Sequence, residues 1–224
     1  DLIEKNEQFT LGIIGLGNVG SRLAYMAKLL GWNVLAYDPY VKVEQVQQVE
    51  LIELLKTADA ISIHVPLTLT GDYPTFHLIN AATLAQMKPK AILINSARGP
   101  VVEESALIAD LQSTKRQVVL DVFEHEPEIS EQLLNVIDVV TPHIAGYSLE
   151  GKARATQMLY EAFCNYHLKQ ALKQHLTEMY DISRDDTNLR ACLKDGKIDQ
   201  NAFDHLRKNY PLRREWAAHR GPKA

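Results

Sequence analysis

Short apolar runs alternate with stretches of helical periodicity over most of the chain. The apolar runs predict β-strands at residues 11–14, 33–37, 61–64, 91–94, 118–120 and 136–140. Between them, apolar residues recur three or four positions apart, which predicts helices at residues 21–30, 49–55, 80–87, 103–111 and 149–168. Strands that alternate with helices form a parallel sheet whose crossover connections are right-handed. The pattern therefore predicts an α/β fold with a doubly wound parallel sheet.

The pattern changes near residue 169. The rest of the chain is strongly charged and lacks the alternation of strands and helices. We therefore predict three parts: a sheet-bearing domain over residues 1–150, a long connecting helix over residues 151–168 that follows an N-cap at Ser148, and a separate, mostly helical appendage over residues 169–224.

A glycine-rich turn separates the first predicted strand from the first helix. Gly15, Gly17 and Gly20 have the spacing of the dinucleotide-binding fingerprint, with Asn18 and Val19 between the last two. The first glycine allows the tight turn, the second lets the backbone approach a pyrophosphate, and the third lets the helix lie close to the strand. The N–H groups and the positive end of the helix dipole then face the phosphates. The turn predicts a Rossmann-type domain.

The second predicted strand ends at Asp38, at about the distance from the glycines where the fingerprint expects an acidic residue. A carboxylate there can accept hydrogen bonds from the ribose hydroxyls and would repel a 2′-phosphate. Pro39 and Tyr40 follow instead of a basic residue, which favours NAD over NADP. The alternative is that Asp38 only forms a turn before a proline.

Three side chains after later strands have the chemistry of a dehydrogenase. Hydride transfer at a hydroxyl carbon needs a base for the proton and a cation for the substrate's carboxylate. Arg98 can hold a carboxylate by a two-point fork, His143 can act as the base, and Glu126 can hydrogen-bond His143 and orient it. The carboxyl ends of parallel strands meet at one edge of the sheet, so we expect these residues to be neighbours.

Each of these residues also has an ordinary structural interpretation. An arginine after a strand is often a surface ion pair, and a histidine is often a core or capping residue. His64, His77 and His125 are weaker candidates, and their spacing indicates no metal site. The remaining histidines are expected on the surface outside the sheet: His167, His175, His205 and His219.

Composition narrows the function classes. The 224 residues are 46% hydrophobic, which is enough for a substantial core. A formal net charge of −4 and a pI near 6.1 argue against a nucleic-acid surface. Cys164 and Cys192 are too few for a disulfide framework, so we expect a cytoplasmic protein. No apolar stretch is long enough to predict a membrane span.

Four motifs together resemble the D-isomer-specific 2-hydroxyacid dehydrogenases. They are Gly-Leu-Gly-Asn-Val-Gly at residues 15–20, Asn-Ser-Ala-Arg-Gly-Pro-Val-Val at 95–102, Leu-Asp-Val-Phe-Glu-His-Glu-Pro at 120–127 and Thr-Pro-His-Ile-Ala-Gly at 141–146. The resemblance covers roughly residues 10–168. It implies an NAD-binding Rossmann domain and NAD-dependent oxidation of a small hydroxy acid.

The resemblance also implies roles for individual residues. Arg98, Glu126 and His143 match the family's catalytic arginine, glutamate and histidine. Asp38 matches the ribose-binding acid, and Asp121 matches the acid near the nicotinamide amide. Further cofactor contacts are implied at four positions: Val65, Ser96, Ala97 and Gly146. Tyr147 matches a tyrosine that binds substrate together with Arg98 and His143 in one branch of the family.

That branch acts on a phosphorylated hydroxy acid. Residues 71–77, 142–154, 180–186 and 203–216 resemble it, and the tail matches part of its C-terminal dimerisation domain, which implies a homodimer. We expect the first half of the family's substrate domain to be missing before residue 1 and the tail to be shortened, which puts the activity of the chain alone in doubt. Two alternatives stay open: another substrate, such as 3-phosphoglycerate or glyoxylate, or a non-catalytic NAD(H)-sensing protein.

Overall fold

A computed structural model describes residues 9–167, 197–198 and 200–209. The strands are β1 (Thr10–Ile14), β2 (Asn33–Tyr37), β3 (Gln47–Gln48), β4 (Ala60–Ile63), β5 (Ile92–Asn95), β6 (Gln117–Leu120), β7 (Ile129–Ser130), β8 (Val139–Val140) and β9 (Lys197–Ile198). The α-helices are α1 (Asn18–Leu29), α2 (Leu51–Thr57), α3 (Ala81–Leu84), α4 (Glu104–Ser113), α5 (Glu131–Val136), α6 (Leu149–His167) and α7 (Gln200–Lys208). A single 3₁₀ turn spans Gly99–Val101 in the described chain.

Seven of these strands form one sheet in the order β3-β2-β1-β4-β5-β6-β8, and every pairing is parallel. The chain moves outward from β1 in one direction through β3 and then returns beside β1 at β4. This reversal is a topological switch point, where open parallel sheets bind ligands beyond the carboxyl ends of the strands. The predicted α/β fold with a doubly wound parallel sheet is confirmed.

Hydrophobic layers cover both faces of the sheet. All residues of β1 and β4 are buried, as expected for central strands with helices on either side. The larger core cluster lies around Ile61, Leu93 and Phe123, and the smaller one joins β1 to α1 through Ile13 and Ala24. Packing on both faces of the sheet therefore fixes β1 and β4, the two strands that flank the switch point.

Side-chain caps begin three of the helices. Asn80 accepts hydrogen bonds from the backbone N–H groups of Ala82 and Thr83 at the start of α3. Ser130 caps α5, and the Ser148 hydroxyl accepts a hydrogen bond from Gly151 N at 2.9 Å at the start of α6. The predicted caps at Asn80 and Ser148 are confirmed, and they end the preceding loops at defined residues.

The strand predicted over residues 136–140 is present as β8, but it is shorter than predicted. Val136 is the last residue of α5, and only Val139–Val140 pairs in the sheet. Val136 and the C-cap Ile137 continue the apolar residues of α5, and a short apolar run does not distinguish the end of a helix from a strand. The short strands β3, β7 and β9 were not predicted, and β7 pairs antiparallel with β9 across Ile129 and Ile198.

Helix α7 connects the tail to the main domain. Its Phe203 is 2% exposed and belongs to the larger core cluster, where Ala202 and Leu206 pack beside it. The predicted appendage of residues 169–224 lies mostly outside the described residues. Within the described part of the chain, no helix is both long and apolar enough to cross a membrane. The same residues contain no group of three or more acidic, histidine or cysteine side chains placed to hold a metal ion.

Candidate active site

The glycine turn after β1 brings α1 against the sheet. Gly15 has a φ of +97°, a conformation that side-chain-bearing residues rarely adopt. A Cβ on Gly20 would lie 1.9 Å from the carbonyl oxygen of Gly15, so only glycine permits this contact between helix and turn. A Cβ on Gly17 would meet nothing within 4 Å. The helix and the turn are therefore in close contact at Gly20, whereas the space beside Gly17 is open.

The open side of the turn is the start of α1. Gly17, Asn18 and Val19 are exposed there, and no side chain caps the first turn of the helix. The N–H groups of a first helical turn have no partner within the helix and carry the positive end of its dipole. An uncapped, exposed helix start beside a glycine with open space fits the pyrophosphate of a dinucleotide.

Asp38 forms the neighbouring wall, and its carboxylate is anchored to the backbone. Its Oδ2 accepts a hydrogen bond from Leu16 N at 2.7 Å, and its Oδ1 accepts hydrogen bonds from Tyr40 N and Val41 N, both at 2.9 Å. The turn-forming alternative is therefore part of what this residue does. A carboxylate has about four acceptor positions, so Oδ2 retains one for a ligand hydroxyl. The ribose contact stays a prediction.

A cavity of about 450 Å³ lies between these two features. Gly15, Gly17, Asp38, His64 and Val65 line it on the side of the sheet. The rest of the lining includes residues that the sequence did not predict as cofactor contacts: Tyr37, Tyr40, Thr68, Tyr73, Thr75 and Leu78. The rings of Tyr40 and Tyr73 meet edge to face at 5.5 Å. The cavity is a mostly apolar slot at the switch point, a usual place for a cofactor.

The loop after β5 carries Ser96, Ala97 and Arg98. The buried Asn95 holds it: its Nδ2 donates to the Arg98 carbonyl at 2.9 Å, and its Oδ1 accepts from Ala97 N at 3.1 Å. The Arg98 side chain is exposed, and one of its nitrogens donates to the Ala97 carbonyl at 2.6 Å. The remaining guanidinium donors can bind a carboxylate.

The next loop, after β6, packs against the Arg98 loop. A Cβ on Gly99 would lie 1.8 Å from the Phe123 carbonyl oxygen, so the two backbones are in direct contact. Glu126 Oε1 accepts a hydrogen bond from Phe123 N at 2.8 Å, which fixes the glutamate relative to the same backbone. The contact between the two loops therefore fixes the position of the Arg98 loop relative to Glu126.

Glu126 also contacts His143, from the loop after β8. Its Oε2 lies 2.8 Å from the Nδ1 atom of His143. Both side chains are partly exposed, at 21% and 30%. The hydrogen bond expected from the sequence is confirmed. Arg98 lies on the adjacent loop and makes no hydrogen bond or ion pair with either member of the pair.

Asp121 anchors the loop that presents His143. Its Oδ1 accepts hydrogen bonds from the Thr141 hydroxyl at 2.6 Å and Ile144 N at 2.8 Å, and its Oδ2 accepts one from Ala145 N at 2.8 Å. The side chain is 6% exposed, so these are buried, charge-assisted bonds. His143 sits at the centre of the loop with a φ of +54°. Asp121 therefore acts on the backbone around His143.

The same loop ends at Gly146 and Tyr147. Gly146 is exposed, and a Cβ there would meet nothing within 4 Å. Tyr147 is half-buried, and its N–H donates to the Ile144 carbonyl at 2.8 Å. Two cations face its ring: Lys152 Nζ is 4.0 Å from the ring centroid, and Arg207 Cζ is 5.4 Å from it.

Of the three weaker histidine candidates, His64 and His77 have hydrogen-bond partners and His125 is exposed. His64 bonds the Ser62 hydroxyl at 2.9 Å beside the cavity, and burial lowers its pKa from the usual value. His77 bonds Glu124, whose second oxygen accepts from Glu104 N at 2.7 Å. Burial raises the Glu124 pKa, but the bonds from Glu104 and His77 outweigh it, so the pKa is lowered overall.

The chain matches two family models. Residues 2–145 match the NAD binding domain of the D-isomer specific 2-hydroxyacid dehydrogenases, and residues 152–220 match a domain of unknown function, DUF3410. The chain belongs to the D-isomer-specific 2-hydroxyacid dehydrogenase family. It therefore carries the NAD-binding domain of that family, an assignment that agrees with the glycine turn and the cavity at the switch point.

Curated relatives share its whole length. The chain is 58% identical over 246 residues to an erythronate-4-phosphate dehydrogenase of Acinetobacter baumannii (strain ACICU), covering 100% of this chain and 69% of that protein. A protein of the same name from Psychrobacter cryohalolentis is 46% identical over 252 residues, covering 96% of this chain and 65% of that protein. The chain spans about two thirds of these dehydrogenases.

Solved structures of the family share the fold. A glyoxylate reductase from Paecilomyes thermophila has a TM-score of 0.63 and 31% identity, covering 74% of this chain and 52% of that one. A D-lactate dehydrogenase from Aquifex aeolicus, complexed with NAD and lactic acid, has a TM-score of 0.59 and 35% identity, covering 72% and 55%. The chain spans about half the length of these structures. The predicted family, fold and cofactor are confirmed.

Several contacts around the predicted site residues were not foreseen. Asn95 ends a strand as a buried polar residue, a position where an amide signals a local hydrogen-bonding role. Lys152 and Arg207 are far apart in the sequence and meet only at Tyr147, so nothing in the local pattern linked them.

Proposed function

We propose that the protein oxidises the C2 hydroxyl of 4-phospho-D-erythronate to the 2-oxo acid, 3-hydroxy-2-oxo-4-phosphooxybutanoate, with NAD as the cofactor. This is a step of pyridoxal phosphate biosynthesis. The observation that carries the proposal is the 2.8 Å hydrogen bond between Glu126 and His143 at the edge of the sheet. The substrate is taken from the names of the relatives that share up to 58% identity with this chain.

His143 is the proposed base. Glu126 is fixed by the Phe123 N–H and accepts a hydrogen bond from Nδ1 of the imidazole. A proton on Nδ1 leaves Nε2 of the neutral ring as an acceptor, so Nε2 can take the proton of the substrate hydroxyl. The nearby carboxylate then stabilises the imidazolium that forms. Asp121 holds the loop on both sides of the ring, through the Thr141 hydroxyl before it and the Ile144 and Ala145 N–H groups after it.

Arg98 is the proposed carboxylate-binding residue. Its backbone is held by Asn95, and most donors of its exposed guanidinium have no partner within the described chain. A planar guanidinium binds a carboxylate in a bidentate manner. Since the carboxylate of a 2-hydroxy acid is bonded to C2, this contact brings the C2 hydroxyl toward His143. When bound in the slot, NAD supplies the hydride acceptor.

The test is NADH formation by the full-length protein, followed by absorbance with 4-phosphoerythronate and NAD. We expect His143→Gln to lower kcat by about 10²- to 10⁴-fold, the usual contribution of a general base. His125→Gln is the matched control, because His125 is an exposed histidine close by in the sequence, and it should leave kcat unchanged. Undiminished turnover by His143→Gln would exclude the proposed base.

A substrate panel separates this proposal from its alternatives. In assays with NAD, 4-phosphoerythronate should have the highest kcat/KM among the 2-hydroxy acids 3-phosphoglycerate, glycerate, glycolate and lactate. A higher value for another acid would move the protein to that substrate. In the full-length protein, NADH binding with no turnover of any acid would favour an NAD(H)-sensing protein.

We also propose that two copies form a homodimer. Apolar side chains remain exposed on two helices: Tyr25, Met26, Leu29 and Leu30 on α1, and Met158 and Leu159 on α6. Exposed apolar patches of this kind commonly mark protein–protein contacts. Equilibrium sedimentation at micromolar concentration should give twice the mass of one chain, and a single-chain mass would contradict the proposal.

A further inference from the structure

Two cations converge on Tyr147, on the loop that carries His143. Lys152 projects from the first turns of α6, with its Nζ 4.0 Å from the centroid of the tyrosine ring. Arg207 comes from α7, with its Cζ 5.4 Å from the same centroid. The cationic groups can be no farther apart than these two distances combined. Phe203, buried in the core one turn earlier, fixes α7 in the position that makes this possible.

Neither cation has an anionic partner in the described part of the chain. The ion pairs found there involve other side chains. Arg207 Nε is also a buried donor without an acceptor among these residues. Like charges repel, and an unsatisfied buried donor costs free energy. The cluster is therefore suited to an anion that contacts both cations.

The cluster is connected to the proposed catalytic loop. Tyr147 bonds the Ile144 carbonyl, and Asp121 holds Ile144 and Ala145. A hydroxy acid bound through its carboxylate at Arg98 and its C2 hydroxyl at His143 extends its remaining carbons away from both. Lys152 and Arg207 contact Tyr147, four residues after His143 on the same loop, and neither forms an ion pair in the described residues. They differ from Arg98, which the proposed function assigns to the carboxylate.

We propose that Lys152 and Arg207 form the subsite for the substrate's phosphate, with Tyr147 as the platform that separates and orients them. This inference rests on the proposed function, in which the substrate is a phosphorylated hydroxy acid. A phosphate near neutral pH carries close to two negative charges and several strong acceptor oxygens. It can accept hydrogen bonds from the Lys152 ammonium and from the terminal nitrogens of the Arg207 guanidinium.

The test compares two ligands that differ only in the phosphate. Calorimetry at saturating NADH measures the Kd of 4-phosphoerythronate and of erythronate. The unmodified protein should prefer the phosphorylated acid by about tenfold or more, as expected when charge-assisted bonds hold the phosphate. Lys152→Gln and Arg207→Gln should each weaken 4-phosphoerythronate binding by about tenfold and change erythronate binding by less than about twofold.

Matched controls separate local charge from general charge and from folding. Arg154→Gln removes an exposed cation two residues after Lys152, and Lys208→Gln removes one beside Arg207; both should keep the preference. Arg207→Lys keeps a charge and should retain more of the preference than Arg207→Gln, whereas a purely packing role would make the two alike. Thermal unfolding identifies any variant that fails to fold.

The outcomes distinguish this inference from the proposed function. The unmodified protein could oxidise 4-phosphoerythronate while both glutamine variants still prefer 4-phosphoerythronate to erythronate. That result would overturn the phosphate subsite but would agree with the proposed function. Equal losses for both ligands would also overturn it, because they would indicate a role in positioning Tyr147. An unmodified protein that does not prefer the phosphorylated acid would refute it directly, whichever hydroxy acid it oxidises.

Discussion

Gly17 and Gly20 provide a matched pair of substitutions, because alanine adds the same methyl group in two different surroundings. At Gly20, the new Cβ would lie 1.9 Å from the Gly15 carbonyl oxygen, whereas real Cβ contacts stay above 3.0 Å. The obstacle is backbone, so it cannot rotate away. Helix α1 would have to move from the turn by about 1.1 Å, the difference between those two distances. At Gly17, the methyl group would enter open space.

The two variants should therefore differ in stability. Forced overpacking costs about 1–3 kcal/mol, and a rigid backbone obstacle places Gly20→Ala near the upper end. For a chain of this size, 3 kcal/mol corresponds to a fall in Tm of about 6–12 °C. Gly17 is the N-cap in an extended conformation that alanine can adopt, so Gly17→Ala should cost less than about 1 kcal/mol. Scanning calorimetry of both variants checks this.

NADH binding provides the second measurement. Both variants should bind NADH more weakly in a fluorescence titration, Gly17→Ala because its methyl group occupies the proposed phosphate cradle and Gly20→Ala because the helix has moved. Loss of NADH affinity with an unchanged Tm is the signature expected only of Gly17→Ala. Equal Tm values for the two variants would refute the close contact between α1 and the glycine turn. Unchanged NADH affinity in Gly17→Ala would refute the cradle.

Two further predictions concern Asp121 and His64. Asp121→Asn places an amide donor opposite the Ala145 N–H in a buried site. We therefore expect the free energy of unfolding in urea to fall by about 1.5–3 kcal/mol and kcat to be lower. The control is Asp138→Asn, at an exposed residue with one hydrogen bond from Val118 N, which should lower the free energy of unfolding by less than about 1 kcal/mol. An equal cost for both would contradict this account. For His64, burial lowers the folded-state pKa below the usual 6.5, so the unfolded chain binds the proton at a higher pH than the folded one. Its contribution to stability should therefore fall as the pH drops through about 6.5, until the folded-state pKa is passed. Urea midpoints between about pH 7 and 5 should fall more steeply for the unmodified protein than for His64→Gln.

Most strand positions followed from local pattern. The strand Asn33–Tyr37 was predicted with its observed ends, since a continuous apolar run between Gly31 and Asp38-Pro39 has one consistent interpretation. The run before Thr141 was misassigned because α5 and β8 are separated by only two residues, so two short apolar segments look like one. Strand β7 could not be predicted, because its partner β9 lies far along the chain.

The candidate site divides in the same way. Strand ends and the glycine spacing are local properties of the sequence, and together they indicated the edge where Gly15, Asp38, Arg98 and His143 gather. The Glu126–His143 contact was inferred from complementary chemistry on that edge. Their catalytic and cofactor roles stay predictions for the experiments above.

Residue types and their spacing along the chain were sufficient to determine the parallel sheet, the NAD turn and the family, because strand burial, helix periodicity and glycine geometry are short-range. Only the tertiary structure decided how the side chains on that edge are held. Asp38 accepts three hydrogen bonds from backbone N–H groups. Asn95 fixes the loop that carries Arg98, and Asp121 fixes the loop that carries His143. Packing of Phe203 in the core brings Arg207 to Tyr147. These contacts join residues that are distant in sequence, and their geometry exists only after the core has packed.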